Sequence, residues 1–334
     1  YRVAVLEMGK RIRPEDMPSS NHDAGRYVWA PKLGMKGLMR FSVLKHALVA
    51  TGVGVGGGSL VYAAASMMPP DHVWKDPAWV GLENWYDVMP PHYATARRML
   101  GVTPNPELGT ADRLLQMAAN ENGYSESFKK TESAIYFGPE QRSPDPFFEG
   151  KGPARSGCVK CGGCLIGCKH GAKNSLDMNY LHIAEQNGVQ IIPETRVDDI
   201  VPLGEKKDGS QGYVIHTSDS LKTLGGEQKT LRTRGVVVAA GVLGTLKLLF
   251  SAREKGSLPG LSERLGEVVR SYSHKQELLK KYNVVESSDS VGGSRCHRSS
   301  ALSEEKPTLE GHKAGFGTSP EEAIAVAEQN ITED

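Results

Sequence analysis

The chain has 334 residues, of which 39% are hydrophobic and 24% are charged, and its net charge is +1 at pH 7. This balance predicts a globular protein of about two domains, and it gives no sign that nucleic acid or an acidic membrane surface is a partner. No transmembrane segment is predicted, because the most apolar run, residues 43–55, is interrupted by Lys45 and His46.

The first half of the chain predicts few regular elements. A buried strand at residues 3–6 ends at Glu7, residues 11–44 predict loop with short helices, and a glycine loop occupies residues 51–59. Amphipathic helices are predicted at residues 91–100 and 111–122 from the spacing of their apolar side chains.

The second half of the chain predicts more regular elements, in this order: a helix at 176–187, strands at 189–193, 195–203, 212–217 and 235–241, and a helix at 243–253. Gly188 suits the C-terminal cap of the first of these helices. After about residue 271 the sequence becomes polar and rich in serine, which predicts a poorly ordered tail.

The glycine loop contains a G-x-G-x-x-G match at Gly52, Gly54 and Gly57. Three interpretations are open: a primary dinucleotide fingerprint, a flexible turn, and a second loop whose backbone closely approaches a flat cofactor. The third is favoured because residues 41–50 make a poor buried strand. Glu7 is the better candidate for a ribose-binding acid, and it would place the phosphate-binding glycines about 20 residues before it, ahead of the chain start.

Four cysteines lie within eleven residues, at Cys158, Cys161, Cys164 and Cys168. The C-x2-C-x2-C-x3-C spacing is that of bacterial ferredoxins, so the four thiolates are predicted as ligands of a [4Fe–4S] cluster. Zinc, and structural thiols or local disulfides, are the alternatives. Such clustering favours a reducing compartment, and therefore a cytoplasmic location.

Several segments in chain order share their motifs with one known family: residues 5–9, 54–62, 157–181, 195–197, 239–241 and 243–245. Together they resemble the glucose–methanol–choline (GMC) family of FAD-dependent oxidoreductases. Residues 157–181, which include the cysteine run, are similar to its bacterial cholesterol-oxidase-like branch.

The resemblance implies an α/β fold, with an FAD-binding, Rossmann-like, doubly wound sheet and an inserted substrate-side region. The implied FAD-binding residues are Glu7 at the ribose, Val197 at the adenine, the second cofactor strand with Ala240 and Gly241, and a flavin-side loop with Gly54, Gly56, Gly57, Gly58, Ser59 and Tyr62. The implied activity oxidises the CH–OH group of a sterol or another bulky hydrophobic alcohol, with oxygen or another acceptor taking the electrons.

The resemblance divides the chain into part of an FAD-binding domain at 1–67, an inserted region at 68–175, a return to the FAD-binding domain at 176–270, and an unmatched tail. The phosphate loop and the histidine-bearing end of the family are not matched, so the chain is predicted to be truncated at both ends and no catalytic residue is assigned. An iron–sulfur electron-transfer protein, or a non-catalytic remnant, is the alternative function. No serine–histidine–aspartate order or paired carboxylates support a hydrolase.

Overall fold

The computed structural model describes residues 1–44, 48–75, 81–222 and 226–267. The tail predicted at 271–334 lies outside the described residues. The strands are β1 (Ala4–Leu6), β2 (Trp29–Ala30), β3 (Met35–Lys36), β4 (Met39–Val43), β5 (Leu48–Gly52), β6 (Thr103–Pro104), β7 (Glu132–Ser133), β8 (Gln190–Ile192), β9 (Thr195–Pro202), β10 (Tyr213–Asp219) and β11 (Gln228–Thr233). The α-helices are α1 (Ala24–Tyr27), α2 (Trp85–Met99), α3 (Thr110–Glu121), α4 (Tyr180–Gln186) and α5 (Gly241–Lys255).

Two sheets define the framework around the N-terminal strand. β1 pairs in parallel with β8, with Val5 opposite Ile191. β9, β10 and β11 form an antiparallel sheet with β10 in the centre. A hydrogen bond of 2.9 Å from the Thr195 backbone N–H to the Glu7 carbonyl joins the start of β9 to the end of β1.

A compact apolar cluster lies beside the hairpin of β4 and β5. Its buried members are Met17, Leu38, Met39, Leu60 and Val61. Leu38 and Leu60 are at most 1% exposed. Because burying a side chain of this size contributes about 1.5–3 kcal/mol, the cluster is a main source of stability for the segment that follows the glycine loop.

Several predicted helices and strands are confirmed by the structure. α3 and α5 lie within two residues of the predicted helices, and β8, β9 and β10 correspond to the predicted strands. α2 starts at Trp85 rather than at residue 91, and it carries Pro90 and Pro91 in its interior. The prediction rested on the apolar spacing of Tyr93, Ala96 and Met99, which does not extend to the first turns of the helix.

The prediction of a buried strand at residues 235–241 is wrong. Residues 235–239 have no strand partner within the described ranges, and Gly241 already begins α5. Val237 is 60% exposed. An apolar run becomes a buried strand only if neighbouring strands pair with it, and periodicity cannot supply that information.

The structure also contains strands that the sequence did not indicate. β11 has the polar sequence Gln-Lys-Thr-Leu-Arg-Thr, and among the described strands it pairs with β10 alone, as an edge strand can. β4 and β5 form a hairpin where a poor strand was expected. The mixed content of helix and sheet is confirmed. Among the named strands of the described residues, the parallel pair is β1 with β8, and an isolated parallel bridge joins Val28 to Met39.

Candidate functional site

Glu7 lies where β1 ends and connects that strand to the glycine loop. Its carboxylate Oε1 accepts hydrogen bonds from the backbone N–H groups of Gly9 at 2.6 Å and Gly54 at 3.1 Å. Burial raises the pKa of this carboxyl, while the two backbone N–H groups act in the opposite direction. Oε1 is the acceptor in both bonds, so a ribose hydroxyl would be bound through Oε2.

The glycine loop has a packed inner side and an open outer side. A Cβ added to Gly54 would lie 2.8 Å from Leu60 Cδ1, whereas a Cβ added to Gly57 or Gly58 would meet nothing within 4 Å. Gly54 and Gly56 have φ values of 142° and 114°, which are strained for any residue with a side chain. Open glycines on a fixed turn allow a flat ligand to approach the backbone.

The environment of this loop does not match a primary dinucleotide fingerprint. That motif needs a strand followed by a tight turn and an α-helix. Here β5 belongs to an antiparallel hairpin, and the turn leads into a short 3-10 helix at Gly57–Leu60. The geometry therefore argues against the first interpretation of the loop, and the close approach of its backbone to a cofactor stays a prediction beside the alternative of a flexible turn.

Ser59 and Tyr62 use their hydroxyl groups to hold the loop in place. Ser59 Oγ donates to the Gly56 carbonyl at 2.6 Å and accepts from the Leu176 N–H at 2.8 Å. The Tyr62 hydroxyl donates to the Asn174 carbonyl at 2.9 Å, and burial raises the pKa of Tyr62 to about 12. Both residues thus tie the loop to the segment that follows the cysteine run.

Lys173 adds three hydrogen bonds to the polar connection between the cysteine run and the glycine loop. Its side-chain Nζ donates to the carbonyls of Leu60 at 2.8 Å, Tyr62 at 3.1 Å and Cys164 at 2.6 Å. The residue is 2% exposed. Burial lowers the pKa of Lys173 to about 8. A buried ammonium group is tolerated only when its donors are satisfied, and here three carbonyl oxygens serve that purpose.

Arg155 is a second buried cation on the same side of the site. Its Nε donates to the Gly171 carbonyl at 2.6 Å, its Nη1 to Asn174 Oδ1 at 2.7 Å, and its Nη2 to the Ala172 carbonyl at 3.2 Å. The residue is 1% exposed, and desolvation lowers its pKa. Arg155 therefore fixes the backbone segment from which Lys173 projects.

Three buried polar atoms near the loop have no hydrogen-bond partner within the described part of the chain: Asn174 Nδ2, Asp177 Oδ1 and Asn179 Nδ2. Asp177 Oδ1 lies 3.1 Å from the position that a Cβ on Gly56 would occupy. The same position lies 3.0 Å from Leu60 Cδ2, so this acceptor faces the packed side of the glycine loop. Buried polar groups are normally paired, so an acceptor without a donor there is a place where an ordered water or an ion would fit. The open positions at Gly57 and Gly58 leave room for a flat cofactor on the other side of the loop.

The four cysteines line one small pocket together with His170 and Lys173. All four are free thiols; Cys161 is exposed and the other three are half-buried. Among the described residues, no group of three or more His, Cys, Asp or Glu side chains is arranged to hold a metal ion. The ferredoxin-like spacing is thus not accompanied by a ligand set, and the iron–sulfur and zinc hypotheses gain no support from the structure.

The remaining predicted cofactor residues lie on the antiparallel sheet and the helix beside it. Val197 sits two residues after Thr195, at a β-bulge where Asp198 has no opposite partner in β10. Ala240 is the N-cap residue of α5, and Gly241 begins that helix with a φ of 68°. α5 packs against β9.

The structure therefore joins Glu7 to the glycine loop at Gly54, while Ser59 and Tyr62 connect this loop to Leu176 and Asn174. The sequence did not single out Lys173, Arg155 or Asn174, because charged and amide side chains are usually solvated and their burial depends on partners elsewhere. Within the described residues, no helix combines the length and the apolar character that crossing a membrane requires.

Comparison with known proteins gives one family. Residues 154–256 match the model of the GMC oxidoreductase family. Over 276 residues, or 81% of the chain, the sequence is 42% identical to a cholesterol oxidase of Acinetobacter baumannii, covering 50% of that protein. It is 40% identical over 279 residues, or 82% of the chain, to a cholesterol oxidase of Mycobacterium tuberculosis, covering 47% of it.

A more distant relative is the long-chain-alcohol oxidase FAO4B of Arabidopsis thaliana, which is 26% identical over 283 residues, covering 82% of this chain and 34% of that protein. The chain spans about half the length of the two bacterial relatives.

Proposed function

Because this chain belongs to the GMC oxidoreductase family, we propose that it forms part of an FAD-dependent oxidoreductase that oxidises the CH–OH group of a sterol or another bulky hydrophobic alcohol. The observation that carries the proposal is the 42% identity to a cholesterol oxidase over 81% of the chain. The proposed fold is the Rossmann-type, doubly wound sheet of the family, in which β1 and β8 are one parallel pair.

The proposed cofactor site uses the geometry around β1. Glu7 would bind the adenosine ribose through Oε2, and the open side of Gly57 and Gly58 would receive the pyrophosphate and the flavin edge. Gly54 and Gly56 would shape the turn behind that open side. Backbone N–H groups on such turns bind anionic groups well, since they present several donors in one concave surface.

The residues proposed nearer the ends of the cofactor are Val197, whose backbone would meet the adenine, and Ala240 with Gly241 at the start of α5. Ser59 and Tyr62 would hold the glycine loop rather than contact the flavin through their hydroxyls, which already have partners in the protein. A bound flavin would supply the two-electron chemistry. The protein residues would orient the alcohol and exclude water from the site.

The first test is binding of FAD to the purified chain, followed by absorbance after gel filtration. We expect flavin bands that coelute with the protein. The variant Gly58→Leu should lose them, because its side chain would occupy the open side of the loop. Gly25→Leu is the matched control, since Gly25 in α1 also has nothing within 4 Å of its Cβ position and lies on another segment. Equal FAD retention in both variants would contradict the proposed site.

The second test addresses the substrate. Sterols, long-chain alcohols and short alcohols would be compared as reductants of the FAD-loaded chain under anaerobic conditions, followed by admission of oxygen. Bleaching of the flavin by sterols but not by short alcohols is the expected result. Bleaching by short alcohols alone would contradict the sterol-type substrate while leaving the FAD site intact. The proposed acceptor of the electrons from the flavin is oxygen or another two-electron acceptor. A cytoplasmic location of the protein stays a prediction.

A further inference from the structure

The cysteine loop combines features of a redox-sensitive site with a direct connection to the glycine loop. Cys158, Cys161, Cys164 and Cys168 are free thiols that line one pocket. Cys161 is exposed to solvent and follows Lys160 in the chain. Peroxide-sensitive cysteines are accessible thiols with a second thiol close enough to resolve the first product.

Cys161 and Cys164 are two cysteines of this loop that are separated by two residues. They form a Cys-Gly-Gly-Cys sequence, and Gly162 between them adopts a φ of 71°, which turns the chain back. Cys161 Sγ lies 3.5 Å from the position of a Cβ on Gly163, the residue that immediately precedes Cys164. The exposed sulfur therefore lies beside the turn at Gly162 and Gly163 that leads to Cys164. Glycines at both intervening positions give the backbone freedom to close the ring.

Lys173 connects Cys164 to the proposed cofactor loop through hydrogen bonds of one atom, its side-chain Nζ. The same Nζ that donates to the Cys164 carbonyl at 2.6 Å also donates to the carbonyls of Leu60 and Tyr62. Leu60 ends the 3-10 helix that begins at Gly57. A change of backbone at Cys164 must therefore be accommodated by an atom that also holds this short helix.

We propose that Cys161 and Cys164 form a peroxide-sensitive dithiol site, and that Lys173 couples their oxidation to the glycine loop at Gly57–Leu60. The site is separate in chemistry from the proposed alcohol oxidation. It rests on that function only for the source of the oxidant, because reoxidation of a reduced flavin by oxygen yields hydrogen peroxide.

The chemistry balances with hydrogen peroxide as the oxidant. The Cys161 thiolate attacks one peroxide oxygen, so that an S–O bond forms, the O–O bond breaks and one water leaves after protonation. The Cys164 thiol then attacks the Cys161 sulfur, forming the S–S bond and releasing the hydroxyl as a second water. Two thiols lose two electrons and two protons, and one hydrogen peroxide is reduced to two waters.

The test adds hydrogen peroxide directly to the 334-residue chain without FAD or alcohol, so its outcome does not depend on the proposed function. Free thiols would be alkylated, and the disulfide located by peptide mass mapping before and after dithiothreitol. We expect a reversible loss of two thiols in a Cys161–Cys164 linkage. Cys158→Ser should keep this linkage, and Cys161→Ser should lose it. A linkage between other cysteines, or irreversible oxidation alone, would overturn the proposal.

The coupling would be read by hydrogen exchange of the backbone amides at Gly57–Leu60. Oxidation should accelerate their exchange roughly tenfold, the factor expected when one hydrogen bond from a charged donor is weakened. In Lys173→Met the exchange should already be fast and should not respond to oxidation, while Lys169→Met, an exposed lysine on the same loop, should behave as wild type. Unchanged exchange after the disulfide has formed in the wild-type chain would overturn the coupling.

Discussion

Replacing Lys173 by methionine tests whether the buried lysine stabilises the site. Methionine keeps most of the apolar side-chain volume but removes the donor that serves the Leu60, Tyr62 and Cys164 carbonyls. A hydrogen bond from a charged donor contributes about 1.5–3 kcal/mol net, and each buried acceptor left without a donor costs about 1–3 kcal/mol. The substitution also removes the desolvation penalty of the buried ammonium group, which is several kcal/mol and offsets part of this loss.

The expected balance is a loss of about 2–4 kcal/mol in the free energy of unfolding. With a urea slope of about 2–3 kcal/mol per M, the unfolding midpoint should fall by about 1 M. Fluorescence-detected urea titration would measure it, with Lys169→Met as the control because Lys169 is exposed on the same loop. A midpoint for Lys173→Met equal to or above that of the control would refute the reasoning, because desolvation would then outweigh the three hydrogen bonds.

The pH dependence gives an independent check on the same residue. Burial lowers the pKa of Lys173 from 10.5 to about 8 in the folded chain. Between these two values the unfolded chain binds more protons than the folded chain, so this residue makes stability rise with pH across that window. The difference in unfolding free energy between wild type and Lys173→Met should therefore grow from pH 8 to 10. A difference that stays constant would contradict the lowered pKa.

Three further changes test separate parts of the structure. Arg155→Lys should lower the unfolding free energy by about 3–5 kcal/mol, because lysine cannot make the three divergent hydrogen bonds of the guanidinium; a urea midpoint like that of wild type would contradict this. Gly9→Ala should lower the thermal midpoint, because its Cβ would lie 2.3 Å from the Gly54 backbone nitrogen, whereas Gly25→Ala, with open space at its Cβ position, should not. Arg97 lowers the pKa of Glu132 through a bidentate pair. Wild type should therefore have a higher free energy of unfolding than Glu132→Gln above the ordinary pKa of 4.5, and this difference should disappear as pH falls below it. A difference that persists at low pH in urea titrations would refute this prediction.

Local pattern was sufficient for the elements whose formation depends on nearby residues. The apolar spacing of α3 predicted that helix within two residues. The helix predicted at 243–253 and the strands predicted at 195–203 and 212–217 correspond to α5, β9 and β10. The position of Glu7 at the end of a strand was also apparent, because a short apolar run followed by an acid has the same meaning in most parallel sheets. Motif order indicated the family, which the comparisons bear out.

Only the tertiary structure decided which polar residues are buried and what they touch. Lys173 reads as a solvated lysine in the sequence, yet its partners Leu60 and Tyr62 lie 113 and 111 residues away. The cysteine spacing predicted a metal cluster, and the arrangement of the thiols does not provide one within the described residues. The apolar run at 235–239 resembles a core strand but has no strand partner there. The physical reason is common to all three: periodicity and propensity act over a few residues, whereas burial, pairing and coordination require groups that the chain brings together only when it folds.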